Sequence, residues 1–279
     1  MIKILSQSDI ALFVRYFHKD LYISETDLRD YFAINMENDS KYDYLLWLYE
    51  LIDLRIIKKV GKSFQIVKFY PLIEQNSTIA RVNGHIANNF KGIKYCLFST
   101  NWLNEFNHYQ SNFYYNILEI EKALIESVFY ILREKFKRRI YIYEEKSILE
   151  RYVYDEPDSI VIKNILSRAP INLISPIIND KLQKFEPYDS RSNMLRRRNN
   201  FIPVPSLEKI LVDLYCDKDF YYAFSGNILT HIFENALQKY SIDLRTLLAF
   251  AERRNVSRKL EEFIFENFSD ILEINRGLR

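Results

Sequence analysis

Three stretches near the start of the chain repeat apolar residues at helical spacing. In residues 6–18, SQSDIALFVRYFH, Ile10, Phe13, Val14 and Phe17 share one face, and Ser6 with Asp9 three positions on stands where a helix start is capped. Tyr22 and Ile23 form a short extended pair. SETDLRDYF follows, with Ser24 as the cap, Asp27 at the reciprocal position and Leu28, Tyr31 and Phe32 inward. After the polar run Asn35 to Asp39, SKYDYLLWLYELIDL repeats apolar residues at Leu45, Leu48, Tyr49 and Ile52, with Asp39 or Ser40 placed to cap it. The period then changes. In RIIKKVGKSFQIVKF, Ile57 to Val60 lead into Gly61-Lys62, and Phe64, Gln65 and Ile66 alternate, so a β-hairpin is expected.

Three helices closed by a hairpin within about 70 residues predict a winged helix-turn-helix, whose third helix can enter the major groove while the wing lies along the backbone. Charge follows that geometry: residues 55–68 hold Arg55, Lys58, Lys59, Lys62 and Lys68 and no acid. The start of helix three adds Lys41, Tyr42 and Tyr44, beside the acids Asp39 and Asp43. The candidate DNA contacts are therefore Lys41, Tyr42, Tyr44, Lys58, Lys59, Lys62 and Lys68. Bulk steering is absent, because residues 1–75 carry 10 Lys plus Arg against 11 Asp plus Glu. A lysine-rich hairpin also suits a protein-docking module or a protected sheet edge.

Pro71 and the polar run Glu74 to Thr78 mark a linker, dividing the chain into residues 1–75 and 76–279. Beyond it strands alternate with helices. YCLFS at 95–99, FYYNILEI at 113–120, RRIYIYEE at 138–145 and DSIVIKNI at 158–165 are strand-like; Thr100 to Asn107, Lys122 to Lys135 and SILERYV, with Ser147 and Glu150 as a capping box, are helical. A mixed sheet flanked by helices follows. Residues 183–205 hold no stable period and form a basic loop with Arg191, Arg196, Arg197 and Arg198. PSLEKILVDLYCDKDF starts a helix capped by Ser206, with Leu207, Ile210, Leu211 and Leu214 inward and Glu208 and Lys209 on a solvated edge, and the rest is helical. The fold class expected is α+β: a winged helix-turn-helix, then a mixed α/β domain with a helical C-terminal part.

Composition narrows the function classes. The 279 residues are 48% hydrophobic and 15% aromatic, enough to exclude wholesale disorder. Five Gly exclude a glycine-rich phosphate loop, and two cysteines, Cys96 and Cys216, match no metal or redox spacing. No signal-peptide pattern opens the chain and no run of eighteen apolar residues occurs, so a cytoplasmic protein that does not engage membranes is expected. A net charge of +2 does not identify a nucleic-acid binder, but basic patches stand outside the wing. Arg133 to Arg139 holds five cations and one acid, and with the Arg191 to Arg198 stretch it offers Arg138, Arg139, Arg196, Arg197 and Arg198 as a second nucleic-acid or partner surface.

VPSLEKILVDLYCDKDF, FENALQKYSIDLRTLLAFAERRN and FSTNWLNEFNHYQSNFYYNILEIEKALIESVFYIL resemble the AbiEi-type antitoxins of type IV abortive-infection toxin-antitoxin systems. The resemblance covers nearly the whole chain. It implies a bacterial phage-defence protein that binds double-stranded DNA in its own promoter and regulates its own transcription. It also implies antagonism of a cognate nucleotidyltransferase-like toxin, without a stable complex being required. By that resemblance the wing lysines and the start of helix three take the DNA role.

Enzymatic readings find little material. A Mg²⁺-dependent nuclease of a defence system would need acids about a strand end; Glu144-Glu145-Lys146 has that local shape, with Glu126 as a distant helper. A nucleotidyltransferase would need Gly-Ser before a strand bearing two acids; Ser225-Gly226 leads instead into a helix. His18, His85, His108 and His231 show no ligand spacing. No catalytic residue, metal or cofactor is expected; the alternatives are the nuclease and a protein-docking adaptor.

Overall fold

The computed structural model describes residues 5, 9, 12–13, 16–17, 22–35, 43–53, 56–66, 77–90, 92–107, 114–136, 139–174, 185–187, 201–240 and 242–276. The chain is mixed α and β. Its contacts gather into two units, one of residues 1–69, 237–241 and 264–279, the other of residues 70–236 and 242–263. The division expected at 75 does not include the two late segments of the first unit, which take in the end of the helix closing at Lys239 and the last part of the helix closing at Arg276.

In the first unit, β1 (Ile23–Ser24) leads into helix α1 (Glu25–Asn35), followed by helix α2 (Tyr44–Asp53) and a hairpin of β2 (Ile57–Val60) and β3 (Ser63–Ile66). All three strands form one antiparallel sheet in the order β1-β3-β2, with Ile23 opposite Phe64. The start of α1 is a reciprocal cap: Ser24 N–H donates to Asp27 Oδ2 at 3.0 Å, and Asp27 N–H donates to Ser24 Oγ at 3.1 Å. The Ser24 hydroxyl also donates to that carboxylate at 2.6 Å, and these bonds hold the Asp27 carboxyl below its usual range. Ser24→Ala is expected to lower the unfolding free energy by about 1 kcal/mol, read as a fall in the urea midpoint. Gly61, at φ 61°, takes the first turn position of the hairpin, where a two-residue Gly-X turn needs positive φ. Trp47 is fully buried at the centre of the core, with Phe13 and Phe32 rings at 5.6 and 5.5 Å.

The first described element of the second unit is helix α3 (Ser77–Asn89), which begins within the polar run expected to be a linker. Ile79, Val82 and Ile86 are its buried face, a pattern hidden by the polar run before it and by Gly84 within it. A four-stranded sheet has the order β4-β5-β7-β6: β4 (Tyr95–Ser99) is antiparallel to β5 (Tyr115–Ile120), while β5 and β6 (Ile140–Ile142) both run parallel to β7 (Ser159–Asn164). Parallel neighbours need a crossover, and residues 146–153 supply it between β6 and β7 as a short helical segment ending in a π turn. The expected capping box there is absent: Ser147 lies inside the turn and its hydroxyl donates to Glu145. One face of the sheet, with Tyr95, Leu97, Leu118, Ile120, Ile160 and Ile162, packs on α3 and on α4 (Ile125–Phe136).

A second sheet, β10-β8-β9, is antiparallel: β8 (Ile171–Ile174) lies between β9 (Phe185–Pro187) and β10 (Ile202–Pro205). Both ends of the expected basic loop are thus strands. Pro203 and Pro205 did not prevent this, because residues two apart direct their nitrogens to the same edge, and β10 is an edge strand of that sheet. Four helices follow: α5 (Leu207–Cys216), α6 (Asn227–Lys239), α7 (Leu244–Arg253) and α8 (Ser257–Arg276), the last kinked at Phe268 (φ −138°, ψ 23°). Ser206 caps α5 as expected, accepting from Lys209 N–H at 3.3 Å. Among the described residues no helix is long and apolar enough to cross a membrane.

Candidate functional site

Helix α2, YLLWLYELID, is apolar on almost every side, so its buried face is set by the largest ring. Trp47 turns inward and takes Tyr44 and Leu51 with it; Leu45, Leu46, Tyr49 and Ile52 are exposed. Of the face expected inward, Leu45, Tyr49 and Ile52 therefore point outward, while Leu48 packs partly against the core. Tyr44, expected to contact DNA, belongs to the core: its ring lies 5.7 Å from Phe32 and 6.0 Å from Trp47, with the Arg29 guanidinium 4.3 Å from its centroid. Burial pushes the Tyr44 phenol up, and the ring is withdrawn from any groove-facing set.

On the hairpin, Lys59 and Lys62 are exposed. Lys58 lies on β2 opposite Gln65, whose amide donates to the Gln238 carbonyl at 2.6 Å. Lys41, Tyr42, Lys68, Arg138, Arg196, Arg197 and Arg198 fall outside the described residues. Arg139 is exposed just ahead of β6.

The nuclease shape does not assemble. Glu145 accepts from Ser147, while Lys146 pairs with Glu150 at 3.1 Å and sits 4.0 Å from the Tyr222 ring centroid. Among the described residues no group of three or more His, Cys, Asp or Glu could hold a metal ion. His85 meets the Phe136 ring edge-on at 5.9 Å, and His231 lies 3.6 Å from Glu234.

The second unit contains a buried charge network that periodicity did not reveal. The sheet face opposite α3 and α4 presents Cys96, Phe98, Ile117 and Glu119 toward Lys209, Ile210 and Asp213 of α5 and toward Tyr221, around a cavity of about 10 Å³. Lys209, expected on a solvated edge, is 3% exposed; its ammonium lies 2.7 Å from Glu119 and 2.5 Å from Asp213. Arg254 approaches Asp213 at 3.8 Å and Asp217 at 3.9 Å, and Lys163 reaches Asp217 at 2.7 Å. Burial opposes the charge on Lys209, but Asp213 and Glu119 more than offset it and the ammonium is held protonated. The Cys96 thiol donates to Glu119 at 3.4 Å; burial, and then the Glu119 charge, push it well up, so it is a poor thiolate. Burial likewise raises the Tyr221 phenol, helped by Asp213 and Glu119. The cations and acids of this cluster are thus mutually engaged.

A signal for this network was present. LEKILVDLYC is apolar on most sides, and Lys209 with Asp213 at i+4 form a pair on one face of it, the face that is buried, while Glu208 is only half-buried. The third member, Glu119, comes from β5 and no local pattern joins it to them.

No curated protein matches the chain. Residues 45–270, running from α2 through most of α8, match the profile of a family of unknown function, DUF6577. That match spans well over half of the sequence, and the chain belongs to this family.

Proposed function

We propose that the protein is a cytoplasmic DNA-binding autoregulator and antitoxin, without enzymatic activity of its own, that acts against a nucleotidyltransferase-like toxin. The observation that carries the DNA half is the strand order β1-β3-β2. A strand that leads into α1 and pairs with the far arm of the hairpin after α2 is the arrangement expected of a winged helix-turn-helix, whose first helix, expected at residues 6–18, lies mostly outside the described residues; Lys59 and Lys62 are exposed on that hairpin. The wing then meets duplex phosphates as point charges, which positions the protein without reading bases. The toxin half is supported by the resemblance of VPSLEKILVDLYCDKDF and its neighbours.

Binding to the duplex upstream of the protein's own gene, followed by fluorescence anisotropy, tests the first half. Preference for that duplex over an unrelated one is expected, and equal affinity for both defeats autoregulation. Coexpression with a neighbouring toxin gene tests the second half, with restored growth expected.

A second reading is favoured by α2 itself. Its exposed face carries Leu45, Leu46, Tyr49 and Ile52 and no cation, a composition suited to a protein partner. Leu45→Lys separates the two. An added cation strengthens phosphate binding if α2 faces DNA, and breaks the contact if α2 docks on an apolar partner.

A further inference from the structure

The larger unit holds a second concave site, distinct from the ion network and independent of the DNA reading. It lies at the amino ends of β6 and β7, where Arg81 of α3, Lys135 and Phe136 at the end of α4, and Arg139 meet the turn that carries Glu156 and Asp158. The cavity measures about 480 Å³. That is the size of a small-ligand pocket, and more than a bare phosphate fills.

Its acids are already engaged. Asp158, at φ 67°, accepts from the Thr78 hydroxyl and from the Asn116 amide at 2.7 Å, tying α3 to β5; Glu156 accepts from the Tyr141 phenol at 2.9 Å. The cations are not engaged in that way. Among the described residues Arg81, Lys135 and Arg139 form no ion pair. Arg81 instead rests 4.7 Å from the centroid of Phe136, a ring that His85 also meets edge-on. The wall therefore combines a planar cation–aromatic pair with two exposed cations, Lys135 and Arg139, that form no ion pair among the described residues, although the Glu156 and Asp158 carboxylates line the same cavity.

We propose that this cavity binds a nucleotide, its phosphates between Lys135 and Arg139 and its base against the Arg81–Phe136 pair. Guanidinium and ammonium groups are the usual partners of phosphate oxygens, and aromatic and arginine planes are the usual platforms for bases. The platform and the volume distinguish a nucleotide from free phosphate.

Calorimetric titration of the full chain with each of the four ribonucleoside triphosphates, with inorganic pyrophosphate and with adenosine tests this. At least one triphosphate is expected to bind, with pyrophosphate and adenosine each weaker by about tenfold or more. Lys135→Ala and Arg139→Ala alter exposed side chains, so unchanged circular dichroism is expected while nucleotide affinity falls by about tenfold or more. Arg81→Ala is expected to weaken the nucleotide and leave pyrophosphate binding as it was. Absence of triphosphate binding at millimolar concentration, affinity unchanged in both Lys135→Ala and Arg139→Ala, or pyrophosphate binding as tightly as the nucleotide would each overturn the proposal.

Discussion

Lys209→Met is expected to destabilise the protein by about 3–5 kcal/mol, the cost of stranding buried carboxylates without their cation. Glu119 and Asp213 are 5% and 4% exposed and share that one ammonium, so its removal leaves two like charges facing each other away from water. The pH dependence has a definite sign. Two facing buried acids hold protons more tightly in the folded variant than in the unfolded chain, so the deficit is absent below the unfolded carboxylate range near about 4, grows as pH rises above it, and is full only once the folded pair is ionised. Urea unfolding at neutral and acid pH reads both. Adding Glu119→Leu and Asp213→Leu to Lys209→Met is expected to recover most of the loss, because a dry apolar replacement of a buried ion cluster is close to neutral. A single Lys209→Met variant as stable as the parent at neutral pH would contradict the network.

Trp47→Ala is expected to cost about 3–5 kcal/mol in the N-terminal unit, through lost transfer energy and the cavity left among the surrounding rings. Phe13, Phe32, Tyr31 and Tyr44 all lie within 6.1 Å of the indole, centroid to centroid, so no single neighbour can fill the gap. Trp47→Phe is expected to cost much less. It keeps most of the ring and removes an indole N–H that is buried with no hydrogen-bond partner among the described residues. Far-UV circular dichroism through urea unfolding measures both, and equal losses for Ala and Phe would place the ring outside the core.

The contrast between these two cores shows what the sequence made legible. Local signals were readable: the Ser24–Asp27 cap, the Ser206 cap and the bounds of β4 all follow from residues within a few positions of one another. Phase was not readable in α2, where apolar residues on every side left two candidate faces and only packing on Phe13 and Phe32 selects Trp47. Strand β10 was hidden by its prolines, which look like loop markers until β8 is known to lie on one edge alone. The charge network was hidden by distance: Glu119 reads as one more position of an apolar strand until α5 folds against it. The candidate DNA site divides in the same way. The wing lysines follow from a local charge run, whereas the fate of Tyr44 depended on the helix phase.

The central claim is that the hairpin grips duplex phosphates through Lys59 and Lys62, and a salt series tests it most directly. The logarithm of the binding constant for the upstream duplex falls linearly with the logarithm of salt, by about 0.9 per phosphate neutralised. The account predicts a slope shallower by about 0.9 for Lys59→Ala or Lys62→Ala alone, and by about 1.8 for the double variant. A slope identical to that of the parent protein in the double variant would contradict it.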